Sequence, residues 1–251
     1  MDVVVDALAG QQVELSGLLT GLTDADWRAP TRCEGWDVAD VVLHLVQTDE
    51  MAVGSATGRF AEVVSALAQG IGPTGSVDEG AARMVERGRG LAPGDLLERW
   101  TSGAARLLDV VMAMDLSTRV TWVAGELSAR TLVTTRVAET WIHTGDVAGA
   151  VGVTLPPSDR LHLIARLAWR TLPYAFSSAG RTMAGPVAFH LVSPSGETWD
   201  FVPEEPASTT ISGPAVDLCA VAARRVDASA TALAGVGPDA GDVLSLVRTY
   251  A

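Results

Sequence analysis

Up to about residue 179, the apolar positions of this chain recur at spacings of three and four, the period of helices that bury one face. Val4, Leu8, Leu15, Leu18 and Leu19 mark a first helix over 2–20. From Asp37 the stretch DVADVVLHLVQTDEMA predicts a second, with acids in its first turn, where the macrodipole favours them, and a stripe of Val38, Val41, Val42 and Leu45. The pattern continues past Gly54 to about Gln69. Ser76 and Glu79 have capping-box spacing for a short helix over 77–88, and a long helix follows over 93–114. After a less periodic stretch at 119–127, Ser128 caps a helix that runs to about Gly152, where GVTLPPSD breaks it. A helix over 158–179 closes this half.

Beyond Gly180 the texture changes. PVAFHLVSPSGETWDFVP reads as two short alternating runs joined by Ser193-Pro194-Ser195-Gly196, a hairpin composition, and ASTTIS at 207–212 reads as a third strand. Helical patterns return at 214–225 and 239–249. The fold class expected is therefore α followed by α+β: a helical bundle over 1–180 and a small α+β domain over 181–251, with the boundary near 178–185.

Composition narrows the function. A net charge of −12 argues against a phosphate backbone as partner, because such binding needs clustered cations, so no nucleic acid is expected. All 18 cationic side chains are Arg, which removes any Schiff-base lysine. No apolar run approaches the ~20 residues that span a bilayer, and Asp2 and Asp6 do not suit a secretory signal. A soluble, cytoplasmic protein without a membrane partner is the expectation. Cys33 and Cys219 do not suggest a disulfide framework.

Two stretches carry unusual polar residues. In GWDVADVVLHL, His44 sits beside Val41 and Leu45 on an apolar face, where an unpaired imidazole loses its hydrogen bonds to water. In VAETWIHTGDVAGAVG, Glu139 and His143 are four residues apart, about 400° of helical rotation, and so project from one face. Arg136 and Asp146 extend that face. Spacing leaves two readings open. One is a hydrogen-bonded core histidine beside a solvated helix face, the commoner situation. The other is a divalent metal held by His44, Glu139 and His143, a His₂-carboxylate set with an open fourth position.

The same stretches resemble a known family. TRCEGWDVADVVLHL looks like the N-terminal signature of the mycothiol-dependent maleylpyruvate isomerase family, and RVAETWIHTGDVAGAVG resembles a later helix of that family. The family belongs to the DinB-like superfamily of four-helix-bundle metalloenzymes and thiol transferases. GPAVDLCAVAARR resembles a helix of its C-terminal, sterol-carrier-like α+β domain. Glu34 stands where family members often have proline. The resemblance implies His44, Glu139 and His143 as ligands of a divalent metal, in the first place Zn²⁺. It also implies Arg225, or secondarily Arg224, as the contact for an anionic substrate or thiol cofactor.

A bound cation lowers the pKa of a coordinated thiol, so the resemblance implies an enzyme that uses mycothiol to isomerise, or transfer to, a small anionic or electrophilic substrate. Arg136 and Arg225 are the candidate cations for that substrate, and Asp146 a candidate to orient a metal ligand from behind. Two alternatives remain: the same metal activating water or acting as a Lewis acid, and a non-catalytic protein that binds an apolar small molecule. Cys33 and Cys219 read as packing residues, and His162 and His190 lack a motif partner. Trp36 and Trp141 flank the proposed ligands and read as walls of the site.

Overall fold

A computed structural model describes residues 2–123 and 125–249, and the chain divides into two compact units, residues 1–155 and 156–251. The first unit is a bundle of four long helices: α1 (Val3–Thr20), α2 (Val38–Ala56), α5 (Pro93–Ala113) and α6 (Ala129–Ala150). Two shorter helices, α3 (Phe60–Leu67) and α4 (Val77–Gly88), lie between α2 and α5 in the chain. A hairpin of β1 (Arg119–Trp122) and β2 (Gly125–Ser128) leads into α6, filling the stretch whose periodicity is weak.

The helix starts follow local chemistry. Asp2 accepts a hydrogen bond from the Val4 N–H at the head of α1, and Ser128 accepts one from the Thr131 N–H at the head of α6. Asp37 and Asp40 form a reciprocal box at the head of α2, each carboxylate accepting from the other's backbone N–H. Helix α2 packs against α5 and α6, and α1 against α5 and α6. Val38, Val41, Val42 and Leu45 are fully buried in this interior with Leu15, Leu19, Leu107, Trp100 and Val147. The Trp100 indole N–H finds the Ser16 hydroxyl at 3.2 Å.

The expected helix from Asp37 to Gln69 is broken. It ends at Ala56, Gly58 takes a left-handed φ of 72°, and α3 folds back against α2. Gly54 permits that approach, since a Cβ there would lie 2.7 Å from the Val63 side chain.

The second unit contains α7 (Leu161–Arg170), α8 (Leu172–Ser178), β3 (Val187–Val192), β4 (Thr198–Phe201), β5 (Thr209–Pro214), α9 (Ala215–Ala222), β6 (Ala234–Val236) and α10 (Ala240–Leu246). The sheet order is β4-β3-β5-β6, with β3 and β5 parallel and the other pairs antiparallel. The expected hairpin over 187–201 is present, with Phe189 opposite Phe201 and Leu191 opposite Trp199. The single helix expected over 158–179 is two, because Pro173 starts a new helix after Thr171. Helix α7 packs on α9 and β4, so these helices fold with the sheet. The division between units therefore falls at Leu155 and Pro156, ahead of the boundary near 178–185 that texture alone suggests.

Candidate metal centre

His44 comes from α2, and Glu139 and His143 come from α6, the two helices that pack together across the first unit. Both imidazoles turn Nε2 toward the same carboxylate oxygen. His44 Nε2 and His143 Nε2 each lie 3.6 Å from Glu139 Oε2, and ligand atoms of the three residues all fall within 4.8 Å of one another. A separation of 3.6 Å is too long for an N–H···O hydrogen bond, which spans about 2.7–3.2 Å. It is close to the roughly 3.3 Å between donors that share a tetrahedral zinc with bonds of about 2.0–2.1 Å. The three donors therefore fit a small divalent cation better than they fit one another. Side-chain exposures are 12%, 20% and 9% for His44, Glu139 and His143, so the cluster is largely buried with limited contact to solvent.

His143 Nδ1 donates to Asp146 Oδ2 at 2.9 Å, and its Nε2 faces Glu139. Asp146, one turn along α6, thus stands directly behind the His143 ring. The same carboxylate oxygen accepts from Cys33 Sγ at 3.3 Å. On the other side the Trp36 ring packs on His44, centroids 5.2 Å apart, and the two imidazoles meet edge to face at 5.0 Å. Of the two tryptophans expected to flank the ligands, Trp36 is the one with a ring contact to His44, and Trp141 is partly buried.

Burial lowers the pKa of His44, which favours the neutral form a ligand needs. Burial also works against ionisation of Glu139, but the facing imidazoles of His143 and His44 outweigh it and hold the carboxyl well below its ordinary value. For His143, burial opposes protonation, and Asp146, Cys33 and Glu139 overcome it, raising the imidazole well above its ordinary value.

Arg136 does not serve as the substrate cation expected of it. Its Nε donates to Asp49 Oδ1 at 2.8 Å and its NH2 to Thr48 Oγ1 at 2.8 Å, and both ionic side chains are 1% exposed. A guanidinium so enclosed has no face for a substrate; it ties α6 to α2 one turn from Glu139. Arg225 lies in the second unit after α9, partly exposed, and donates to the Ala223 carbonyl at 2.9 Å. Arg224 takes a left-handed φ of 58° and donates to the Ser245 carbonyl. His162 packs against Trp199 and Phe201, and His190 pairs with Asp200, so neither stands in the first unit's cluster. Buried Cys219 has its thiol pushed up by desolvation, in keeping with a packing role. Cys33 is the residue sequence reasoning undervalues: its contact is 113 positions away, and the one signal is that it shares the TRCEGW run with Trp36.

Residues 8–148 match the family described as the mycothiol maleylpyruvate isomerase N-terminal domain. Two uncharacterized proteins of Mycobacterium tuberculosis, Rv0036c of strain ATCC 25618 / H37Rv and MT0041 of strain CDC 1551 / Oshkosh, are each 33% identical over 247 residues. The match covers 97% of this chain and 93% of each relative. Among solved structures, the mycothiol-dependent maleylpyruvate isomerase superposes with a TM-score of 0.62 at 19% identity, covering 92% of this chain and 91% of that one. A histidine-to-alanine mutant of it gives 0.61 at 18%, with the same coverage. At such identities the likeness is one of fold.

Proposed function

This chain belongs to the family of the mycothiol maleylpyruvate isomerase N-terminal domain, and from that premise we propose an enzyme that uses mycothiol to isomerise a small electrophilic substrate. The observation that carries the reading is the convergence of His44 Nε2, Glu139 Oε2 and His143 Nε2 at a spacing suited to a shared cation. These three residues would hold a divalent metal, in the first place Zn²⁺. When bound, it supplies Lewis acidity that favours the thiolate of a low-molecular-weight thiol at neutral pH.

The chemistry proposed is addition and elimination. The thiolate sulfur adds to one carbon of a cis double bond, and the displaced electron pair delocalises into the conjugated carbonyl. Rotation about the new single bond follows, and expulsion of the thiolate restores the double bond as trans, so the thiol is not consumed. Asp146 holds the His143 ring through its Nδ1, and Trp36 packs on the His44 ring. Arg225 is the residue the family resemblance assigns to an anionic group of the substrate or thiol. S-transfer would use the same residues and differ only in retaining the thiol. For the second unit we propose a sterol-carrier-like fold, on the GPAVDLCAVAARR resemblance.

The test is an assay of the purified protein with mycothiol and a cis-unsaturated dicarboxylate conjugated to a ketone, following cis-to-trans conversion by absorbance. Expected is turnover that requires the thiol, falls at least about 100-fold in Glu139→Ala, and shows a raised KM in Arg225→Ala. Turnover that proceeds equally without thiol contradicts the proposal.

A further inference from the structure

Cys33 and Trp36 occupy one tight turn; Trp36 packs on His44, and Cys33 reaches Asp146, the partner of His143. The turn is closed at its neck, where Pro30 bridges Asp37 and the Val38 N–H donates to the Ala29 carbonyl at 3.1 Å. Inside it, the Thr31 N–H and hydroxyl both donate to the Trp36 carbonyl, at 3.0 and 2.9 Å. The Trp36 N–H donates to the Cys33 carbonyl at 3.0 Å, and the Cys33 N–H donates to the Thr31 hydroxyl at 3.1 Å. Gly35 supplies the left-handed φ of 76° that the reversal needs. The turn is anchored directly to the capped start of α2, the helix that carries His44.

We propose that the Thr31–Trp36 turn positions both histidines of the centre: Cys33 acts on His143 through Asp146, and Trp36 acts on His44 by ring packing. The proposal rests on the metal reading above. Cys33, His143 and Asp146 also offer three donor atoms within 4.8 Å, so a direct ligand role for the thiol has to be weighed. Distances decide against it. The His143 to Asp146 contact of 2.9 Å and the Cys33 to Asp146 contact of 3.3 Å are hydrogen-bond lengths, and both end on the same oxygen, Oδ2. The 3.6 Å separations around Glu139 are not. A carboxylate oxygen that accepts two donors is held in place, and it holds in turn the ring that donates to it. Cys33 is therefore a positioning residue whose S–H holds Asp146 in line with His143 Nδ1. Trp36, 5.2 Å from the His44 ring, limits rotation of the other imidazole.

The experiment is a titration of metal-free protein with Co²⁺, reading affinity by competition with a chromophoric chelator and geometry from the visible d–d bands. Wild type takes up one Co²⁺ with a tetrahedral-type spectrum. Cys33→Ala loses about 10–100-fold in affinity with an altered d–d envelope, the usual scale for removing a group behind a ligand. Cys33→Ser keeps a donor and stays within about threefold of wild type. Trp36→Ala weakens binding, while Trp36→Phe, which retains a ring, does not. Cys33→Ala with wild-type affinity and spectrum overturns the proposal, as does Cys33→Ser binding as weakly as Cys33→Ala. An intense near-ultraviolet thiolate-to-cobalt band that disappears in Cys33→Ala overturns it by making the thiol a ligand. Wild type that takes up no Co²⁺ is a separate failure, of the metal reading itself, and this proposal falls with it.

Discussion

Arg136 and Asp49 face each other with 1% of each side chain exposed, and one carboxylate oxygen, Asp49 Oδ2, has no hydrogen-bond partner among the described residues. Burial pushes the Asp49 carboxyl up against the pull of the guanidinium. Such a pair contributes little net stability, but removing one partner strands the other. Arg136→Ala or Asp49→Ala is expected to cost about 3–5 kcal/mol in urea denaturation, and the double variant Arg136→Met with Asp49→Leu much less than the sum. A single variant costing under about 1 kcal/mol contradicts a buried, paired guanidinium. At this scale the legible residues are those one or two helical turns apart: Glu139, His143 and Asp146 share a face because of their spacing. Arg136 is legible as a charge on that face but not as an internal pair, because Asp49 is 87 positions away. Cys33 is illegible for the same reason.

Helix starts are the best-read features of the elements, because a cap is a local bond between a side chain and an N–H two or three residues on. Ser76 and Ser128 cap the helices they were expected to cap, although Glu79 turns to the Gly75 N–H rather than completing the box. At α2 the reciprocal pair of Asp37 and Asp40 is joined by Arg89, which grips the Asp40 carboxylate with two bonds of 2.8 Å. Asp37→Ala removes a cap at the base of the helix that carries His44 and is expected to cost about 1 kcal/mol, read as a lowered unfolding midpoint. An unchanged midpoint contradicts that role. Helix breaks are harder to read, since the pattern of α2 runs on into α3. The break needs Gly58 and the close passage of Gly54 past Val63, a tertiary contact. Strand β6 has three residues, all exposed, and so leaves no alternation to detect.

Over the whole molecule, the chain is acidic, and among the described residues no helix is long and apolar enough to cross a membrane. The helical first half and mixed second half were legible from period alone, but the point of division was not. Residues 161–178 have helical texture and pack with the sheet of the second unit, a preference set by which apolar faces meet. All three proposed ligands, with Asp146 and the Thr31–Trp36 turn, lie inside residues 1–155, within the stretch that matches the family. The most direct test is therefore metal content by elemental analysis of the full chain purified without a histidine tag, beside His44→Ala and His143→Ala. About one zinc per wild-type chain, absent from both folded variants, is the expected result. Wild-type protein that carries no divalent metal even after zinc is added contradicts the metal centre, and with it the thiol chemistry proposed for this site.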